Sequence, residues 1–332
     1  MSTSRNLITD VPGILVGHAD DARAGSGVTA IVLEQPAAGS IDVRGGGPGT
    51  RDTALLDPAQ TVEGIDAIAF SGGSAFGLDA ASGVQAWLHE QGRGFAVRSA
   101  RVPIVPGAIL FDLLSGGDKA WGRYPPYREL GYEAARAASR EFALGSAGAG
   151  LGATTVNFKG GIGSASQACG SFTVGALAAV NAAGSAVVAD GPWFWAAPFE
   201  RDAEYGGLGL PARTPDGALA PRTKGNPQAS TTLVVVATDA VLSKPQAKRL
   251  AVMAQTGLGR ALHPVHTPLD GDVVFTVSTA RKPLSDPLLD LTALGTAAAT
   301  CVARAIARGV YEARPLPFAG AAPAWRDRFR QG

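Results

Sequence analysis

Ser230-Thr231-Thr232-Leu233-Val234-Val235-Val236-Ala237-Thr238-Asp239-Ala240 is the stretch from which the rest of the chain is best read. Leu233–Ala237 is apolar at every position and rich in valine, which predicts a strand buried on both faces. Just upstream, Pro211–Ser230 (PARTPDGALAPRTKGNPQAS) has four prolines, charges of both signs and no apolar period, so it reads as a loop. A structureless loop of that length inside a compact domain calls for a reason. It delivers a hydroxyl residue, Ser230 or Thr231, to the first position of a buried strand, as a self-cutting site requires. The ordinary alternative is a surface connection.

Working outward, apolar β-rich runs alternate with helical patterns. Thr29–Leu33, Ala67–Phe70, Phe172–Val180 and Val273–Val277 are predicted strands. Phe76–Glu90, Glu129–Leu144 and Ser243–Met253 are predicted helices, the last opened by Ser243 as cap and Pro245 in the first turn. Leu291–Arg308 is a long helix of mostly small residues, suited to close packing on a sheet. This alternation predicts a layered α/β or α+β structure. No fixed-period repeat appears.

The 332 residues are 46% hydrophobic and only 17% charged, so a large core is available and disorder is disfavoured. Length leaves one large domain or two ordinary ones open. A formal net charge of +1 provides no broad field for nucleic acid or an anionic membrane. Arg326, Arg328 and Arg330 form a small basic cluster, read as a solvated tail. Cys169 and Cys301 lie among small apolar residues without metal-ligand spacing and read as buried thiols, which suits a reducing compartment. The start, MSTSRNLITDVPGI, lacks a basic stretch followed by an apolar one, and no apolar run is long and charge-free enough to span a bilayer. The expectation is a cytoplasmic protein.

Several motifs invite other readings. Gly45-Gly46-Gly47-Pro48-Gly49 and Gly148-Ala149-Gly150-Leu151-Gly152 miss the dinucleotide spacing, and no phosphate-loop lysine motif occurs. These glycines suit tight turns and close backbone approach. Ser71-Gly72-Gly73-Ser74-Ala75-Phe76-Gly77 lies between a strand and a helix like a nucleophile elbow, but Phe76 breaks the pattern. A triad from Ser74 with His263 or His266 stays a weak alternative. His18, His89, His263 and His266 complete no metal set and read as capping or surface residues. What remains is Lys159 in Asn157-Phe158-Lys159-Gly160-Gly161, Asn181 at a strand end, Thr231, and Asp270-Gly271-Asp272 before a strand. Together they could supply the nucleophile, oxyanion donor, cation and acid/base partners of amide hydrolysis.

These segments resemble the DmpA-type L-aminopeptidase/D-esterase family, which includes β-peptidyl aminopeptidases and the nylon-oligomer hydrolase. The likeness runs from Ile8-Thr9-Asp10-Val11-Pro12-Gly13 and Val16-Gly17-His18 through Gly45–Arg51, Ser71–Asp79 and Val102–Pro106. It continues through the Lys159 segment and Val180-Asn181 to Thr231-Thr232, Ala237–Ala240 and Pro264-Val265-His266-Thr267. The resemblance implies a four-layer αββα sandwich, like N-terminal-nucleophile hydrolases but with the connectivity shared with ornithine acetyltransferases. It also implies a single domain, residues 1–332, cut into 1–230 and 231–332. The family strand places the nucleophile at Thr231; Lys159 and Asn181 match its lysine and oxyanion asparagine. Asp270 and Asp272 match the acidic pair of the nylon-oligomer branch, where β-peptidyl aminopeptidases have Ser and Glu. One departure is Ser230, where the family often has Asn or Gly. It makes Ser230 a rival nucleophile.

The chemistry is consistent on its own terms. A threonine hydroxyl needs an adjacent base, and a free α-amine of pKa about 7.7–8.0 can serve. Cutting before Thr231 creates both on one residue, and no metal or cofactor is required. The expected substrate is a small peptide or amide, and the family implies a tetramer of two-chain units. The alternatives are an acyltransferase of the ornithine acetyltransferase type, which would need an acceptor, and a non-cleaving binding relative.

Overall fold

The computed structural model describes residues 4–224 and 230–329. The first half contributes β1 (Ile14–Asp21), β2 (Ser26–Val43), β3 (Thr50–Arg51), β4 (Ile65–Ser71), α1 (Ala80–Glu90), the short hairpin β5 (Phe95–Val97) and β6 (Ala100–Val102), β7 (Gly107–Ile109) and α2 (Tyr127–Arg136). The second contributes β8 (Gly161–Cys169), β9 (Phe172–Asn181), β10 (Thr231–Ala240), α3 (Lys244–Ala254), α4 (Thr256–Ala261), β11 (Val273–Lys282), α5 (Pro287–Tyr311) and α6 (Trp325–Phe329).

β2 joins the two halves. Its first part pairs antiparallel with β1 and β4, and its last residues, 38–43, pair antiparallel with β11. The strand order is β3-β7-β4-β2-β11-β10-β9-β8, with β1 also on β2. The run Thr29–Leu33 is therefore the middle of a strand far longer than its own apolar signal. Gln35–Ser40 breaks the alternation, so the continuation was not legible.

The side-chain alternation of β10 shows why an unbroken apolar run was needed. Leu233, Val235 and Ala237 join one core with Val273, Phe275, Ile31, Leu33, Ile68 and Phe70, drawn from both halves of the strand set. Val234 and Val236 point the other way, into a core with Ala176, Ala178, Val180 and the apolar residues of α3, α4 and α5. A third core packs Val28, Ala30 and Ala69 against α1 and α2. Each valine removed from water in this way contributes about 1.5–3 kcal/mol before entropy is charged.

Several expectations need correction. The segment Phe76–Glu90 begins as a 3-10 turn, Ser74–Asp79, and is α-helical only from Ala80. The helix read over Glu129–Leu144 starts at Tyr127 and stops at Arg136, because Ser139 exchanges both backbone hydrogen bonds with Val16 on the edge of β1. Cys169 is half-buried, whereas Cys301 is buried. The small-residue helix is present as α5, packed against β8 and β9. By length and composition alone α5 could cross a membrane, contrary to the sequence expectation. Here it is a core helix. Of the basic cluster, Arg326 pairs with Glu312 at 2.7 Å and Arg328 lies over Phe158, while Arg330 is outside the described residues.

Candidate active site

Strand direction gathers the predicted residues. β8 leaves from Lys159-Gly160, antiparallel β9 returns to Asn181, antiparallel β10 departs from Thr231, and β11 runs parallel to β10 from Val273, just after Asp272. The starts of three strands and the end of the fourth therefore lie at one end of the sheet. Lys159, Asn181, Ser230, Thr231, Asp270 and Asp272 all sit there, each at most 3% exposed.

Thr231 is the cross-strand partner of Asn181, so the two side chains project from the same face. The Thr231 hydroxyl donates to the carbonyl oxygen of Ser230 at 2.5 Å. Ser230 itself bridges to Asp270, its N–H donating to the Leu269 carbonyl at 2.9 Å. The Asn181 amide is oriented unambiguously. Its oxygen accepts from the Thr154 N–H at 3.0 Å and from Lys224 Nζ at 3.0 Å, and its Nδ2 donates to the Phe111 carbonyl at 2.9 Å. Among the described residues the Phe111 carbonyl is the acceptor of that amide, and it takes one of its two N–H groups.

Lys159 points into a cage of carbonyls, those of Gly150, Ala153 and Gly160, at 2.9, 2.7 and 2.8 Å. Three donors exist only in the ammonium form. Burial works against that form and, aided by the charge of Lys224 and opposed by buried Asp112, brings the Lys159 pKa down to about 7. Burial likewise lowers Lys224 to about 7, opposed by Asp270. Both lysines line a cavity of about 320 Å³ with Phe111, Leu114, Thr154 and Leu316. Thr154 links this cavity to the end of β9 through its backbone bridge to Lys159 and its bond to Asn181.

The two aspartates are held differently. Asp270 accepts from the Ala183 N–H and from both the N–H and hydroxyl of Thr267, at 3.0, 2.9 and 2.7 Å. Burial, and then the neighbouring Asp272 charge, raise its pKa. Asp272 accepts from the Thr232 N–H at 2.7 Å and from the N–H and Nδ1 of His266 at 3.1 and 2.9 Å. The amide after the predicted nucleophile is thereby tied to a carboxylate–imidazole pair. The Gly45–Gly47 run braces this loop from outside: Gly45 N–H donates to the Asp272 carbonyl and Gly47 N–H to that of Asp270. A Cβ on Gly45 would lie 2.2 Å from the Asp272 nitrogen, so close backbone approach explains that glycine.

Sequence reasoning missed four groups: His266, read as a bland histidine, Lys224, Asp112 and the N–H of Gly271. His266 had a cue in the Pro264–Thr267 motif and Gly271 in the Asp270-Gly271-Asp272 turn, whereas Asp112 and Lys224 had none. The elbow alternative is not assembled. Ser74 donates its backbone N–H to Leu110, while His263 bonds the Leu219 carbonyl and His266 bonds Asp272.

The profile of peptidase family S58 matches residues 6–321. The chain is 43% identical to an uncharacterized aminopeptidase of Mycobacterium tuberculosis over 98% of both chains. The chain belongs to peptidase family S58. A 6-aminohexanoate-oligomer endohydrolase from an Agromyces species is 27% identical over 84% of this chain and 76% of its own. Among solved structures, an L-aminopeptidase D-Ala-esterase/amidase of Ochrobactrum anthropi, a variant of the Ntn hydrolase fold, superposes with a TM-score of 0.71 over 98% of this chain and 92% of that one. Its 22% identity speaks for the fold alone. This S58 chain is accordingly a mixed α/β protein with a fold like that of Ntn hydrolases, and by its family a hydrolase of the aminopeptidase and amidase kind.

Proposed function

We propose that this S58 hydrolase is a single domain, residues 1–332, that cuts itself between Ser230 and Thr231 and then hydrolyses amide bonds of small peptides or amides through an acyl ester on Thr231. The carrying observation is the Thr231 hydroxyl at the head of β10, 2.5 Å from the Ser230 carbonyl oxygen and opposite Asn181 across the sheet. In self-cleavage the hydroxyl oxygen bonds to the Ser230 carbonyl carbon, the C–N bond breaks, and the hydroxyl proton ends on the Thr231 nitrogen. Water then splits the ester and leaves a Ser230 carboxylate. The freed α-amine, of pKa about 7.7–8.0 in the ordinary range, takes the hydroxyl proton during turnover. In this reading Asn181 donates to the developing oxyanion, Lys159 supplies positive charge beside the cavity, and Asp270 and Asp272 hold the new ammonium and the head of the strand.

The three cores support a four-layer αββα arrangement, because one lies between strand sets and the other two lie between strands and helices. A cytoplasmic tetramer of two-chain units belongs to the same reading. Intact mass with N-terminal sequencing tests the proposal. Two chains are expected, the smaller beginning at Thr231, and Thr231→Ala should remain one inactive chain. A stable single chain with full activity would overturn self-cleavage as the activating step.

A further inference from the structure

The Ser230 carbonyl oxygen accepts a second hydrogen bond besides that of Thr231: the N–H of Gly271 donates to it at 2.7 Å. This amide is fixed from several sides. The Asp270 carboxylate is pinned by Ala183 and Thr267, and the Asp272 carboxylate by Thr232 and His266. The carbonyl of Asp270 accepts from Gly47 N–H, and that of Asp272 from the N–H groups of Arg44 and Gly45. Residue 271 must also be small. A Cβ there would stand 2.6 Å from the Thr231 hydroxyl oxygen. A rigid donor already aimed at the carbonyl that will gain charge is the arrangement that lowers a barrier without reorganisation.

We infer that the backbone N–H of Gly271 is an oxyanion donor in this site, first for the Ser230 carbonyl during self-cleavage and then for the acyl carbonyl of the substrate. The inference rests on the proposed nucleophile. When the Thr231 oxygen bonds to the Ser230 carbon, the carbonyl π pair moves to the oxygen that Gly271 already holds. The C–N bond then breaks with transfer of the hydroxyl proton to nitrogen, and water completes hydrolysis of the ester. Once the Ser230 carboxylate departs, the same N–H faces the position that the next acyl carbonyl must take to meet Thr231. Asn181, with one amide hydrogen already on Phe111, then shares the developing charge.

A main-chain donor is removed by replacing the residue with its hydroxy acid. Cell-free synthesis with glycolic acid at position 271 turns that amide into an ester and deletes the N–H. It also weakens the Asp270 carbonyl as an acceptor, so glycolic acid at position 47 is the control, deleting the bond that carbonyl receives without touching the donor to Ser230. Self-cleavage is followed by intact mass, and turnover by release from an amino-acid p-nitroanilide, normalised to the processed fraction. The 271 ester is expected to slow both by about a hundredfold or more, with the 47 ester within a few-fold of the parent. Cleavage by a folded 271 ester within threefold of the parent, or equal slowing by both esters, would overturn the inference. Cleavage of Thr231→Ala run in parallel would instead overturn the nucleophile assignment, and this inference with it.

Discussion

Asp272→Asn changes one atom in the tie between the head of β10 and His266, and its cost can be worked from the bonds. The carboxylate receives three N–H donors, from Thr232 and twice from His266, in a side chain 1% exposed. An amide side chain has one accepting oxygen. With that oxygen toward Thr232, the new NH2 confronts the His266 backbone N–H; turned the other way, it confronts the Thr232 N–H. The imidazole can change tautomer, but neither backbone N–H can. One buried donor therefore loses its acceptor, at about 1–3 kcal/mol, and the remaining bonds lose their charge assistance. A combined loss of about 2–4 kcal/mol corresponds to a fall of about 3–6 °C in the unfolding midpoint for a chain of this length. The measurement belongs in a Thr231→Ala background, so that every molecule is one chain. Differential scanning calorimetry at a single scan rate gives the midpoint, and the Thr231 version gives the self-cleavage rate, expected to fall at least tenfold. A midpoint within 1 °C of the parent together with cleavage within twofold would refute the idea that this carboxylate holds the head of β10.

Asn181→Ala should lower turnover by about a hundredfold or more while the protein still folds; near-normal turnover would remove Asn181 from the chemistry. Thr231→Ser should still cut, and Ser230→Ala should too, since the Ser230 side chain precedes the bond; Edman sequencing that finds residue 230 at the head of the small chain would move the nucleophile by one position. The Lys159 ammonium, lowered to about 7 by burial, predicts a pH effect. Unfolded lysine stays protonated to about 10.4, so between pH 7 and 10 the unfolded chain binds the extra proton and stability rises with pH. The midpoint difference between the parent and Lys159→Met, both in single-chain form, should grow in the parent's favour over that window; a flat difference would mean that the three carbonyls keep the lysine charged throughout.

Legibility followed the range of each interaction. β10, β11 and α5 announce themselves locally, because burial on both faces demands an unbroken apolar run and close packing demands small residues. β2 did not, since its second half is a strand only through its register with β11. The false continuation of α2 has the same origin: Ser139–Leu144 has helical composition, yet the edge of β1 offers Ser139 two backbone bonds that a helix would forgo. The site divides in the same way. Thr231, Asn181 and Lys159 occupy strand ends, and strand ends that alternate in direction meet, so a sequence reader who has the strands has most of the site.

The remainder of the site is made of contacts that no spacing encodes. His266 acts on Thr232 through Asp272, and the link exists because the loop from Pro264 to Asp272 folds back on itself. In that loop His266 adopts a positive φ of 54°, a conformation unusual for a side chain of that size. Its backbone N–H and its ring then reach the same carboxylate oxygen. The Gly45–Gly47 run lies far away in sequence, yet its amides close the outer side of the loop, and any side chain at Gly45 would push the two aspartates apart from Thr231. The conspicuous glycine motif and the conspicuous acidic pair are thus two halves of one device. The glycines let one backbone lie against another, and the aspartates use that rigidity to hold an amide, Gly271, and a strand head, Thr231-Thr232, in mutual reach. A substitution at Gly45 should therefore reproduce the processing defect of Asp272→Asn without touching any group that carries charge.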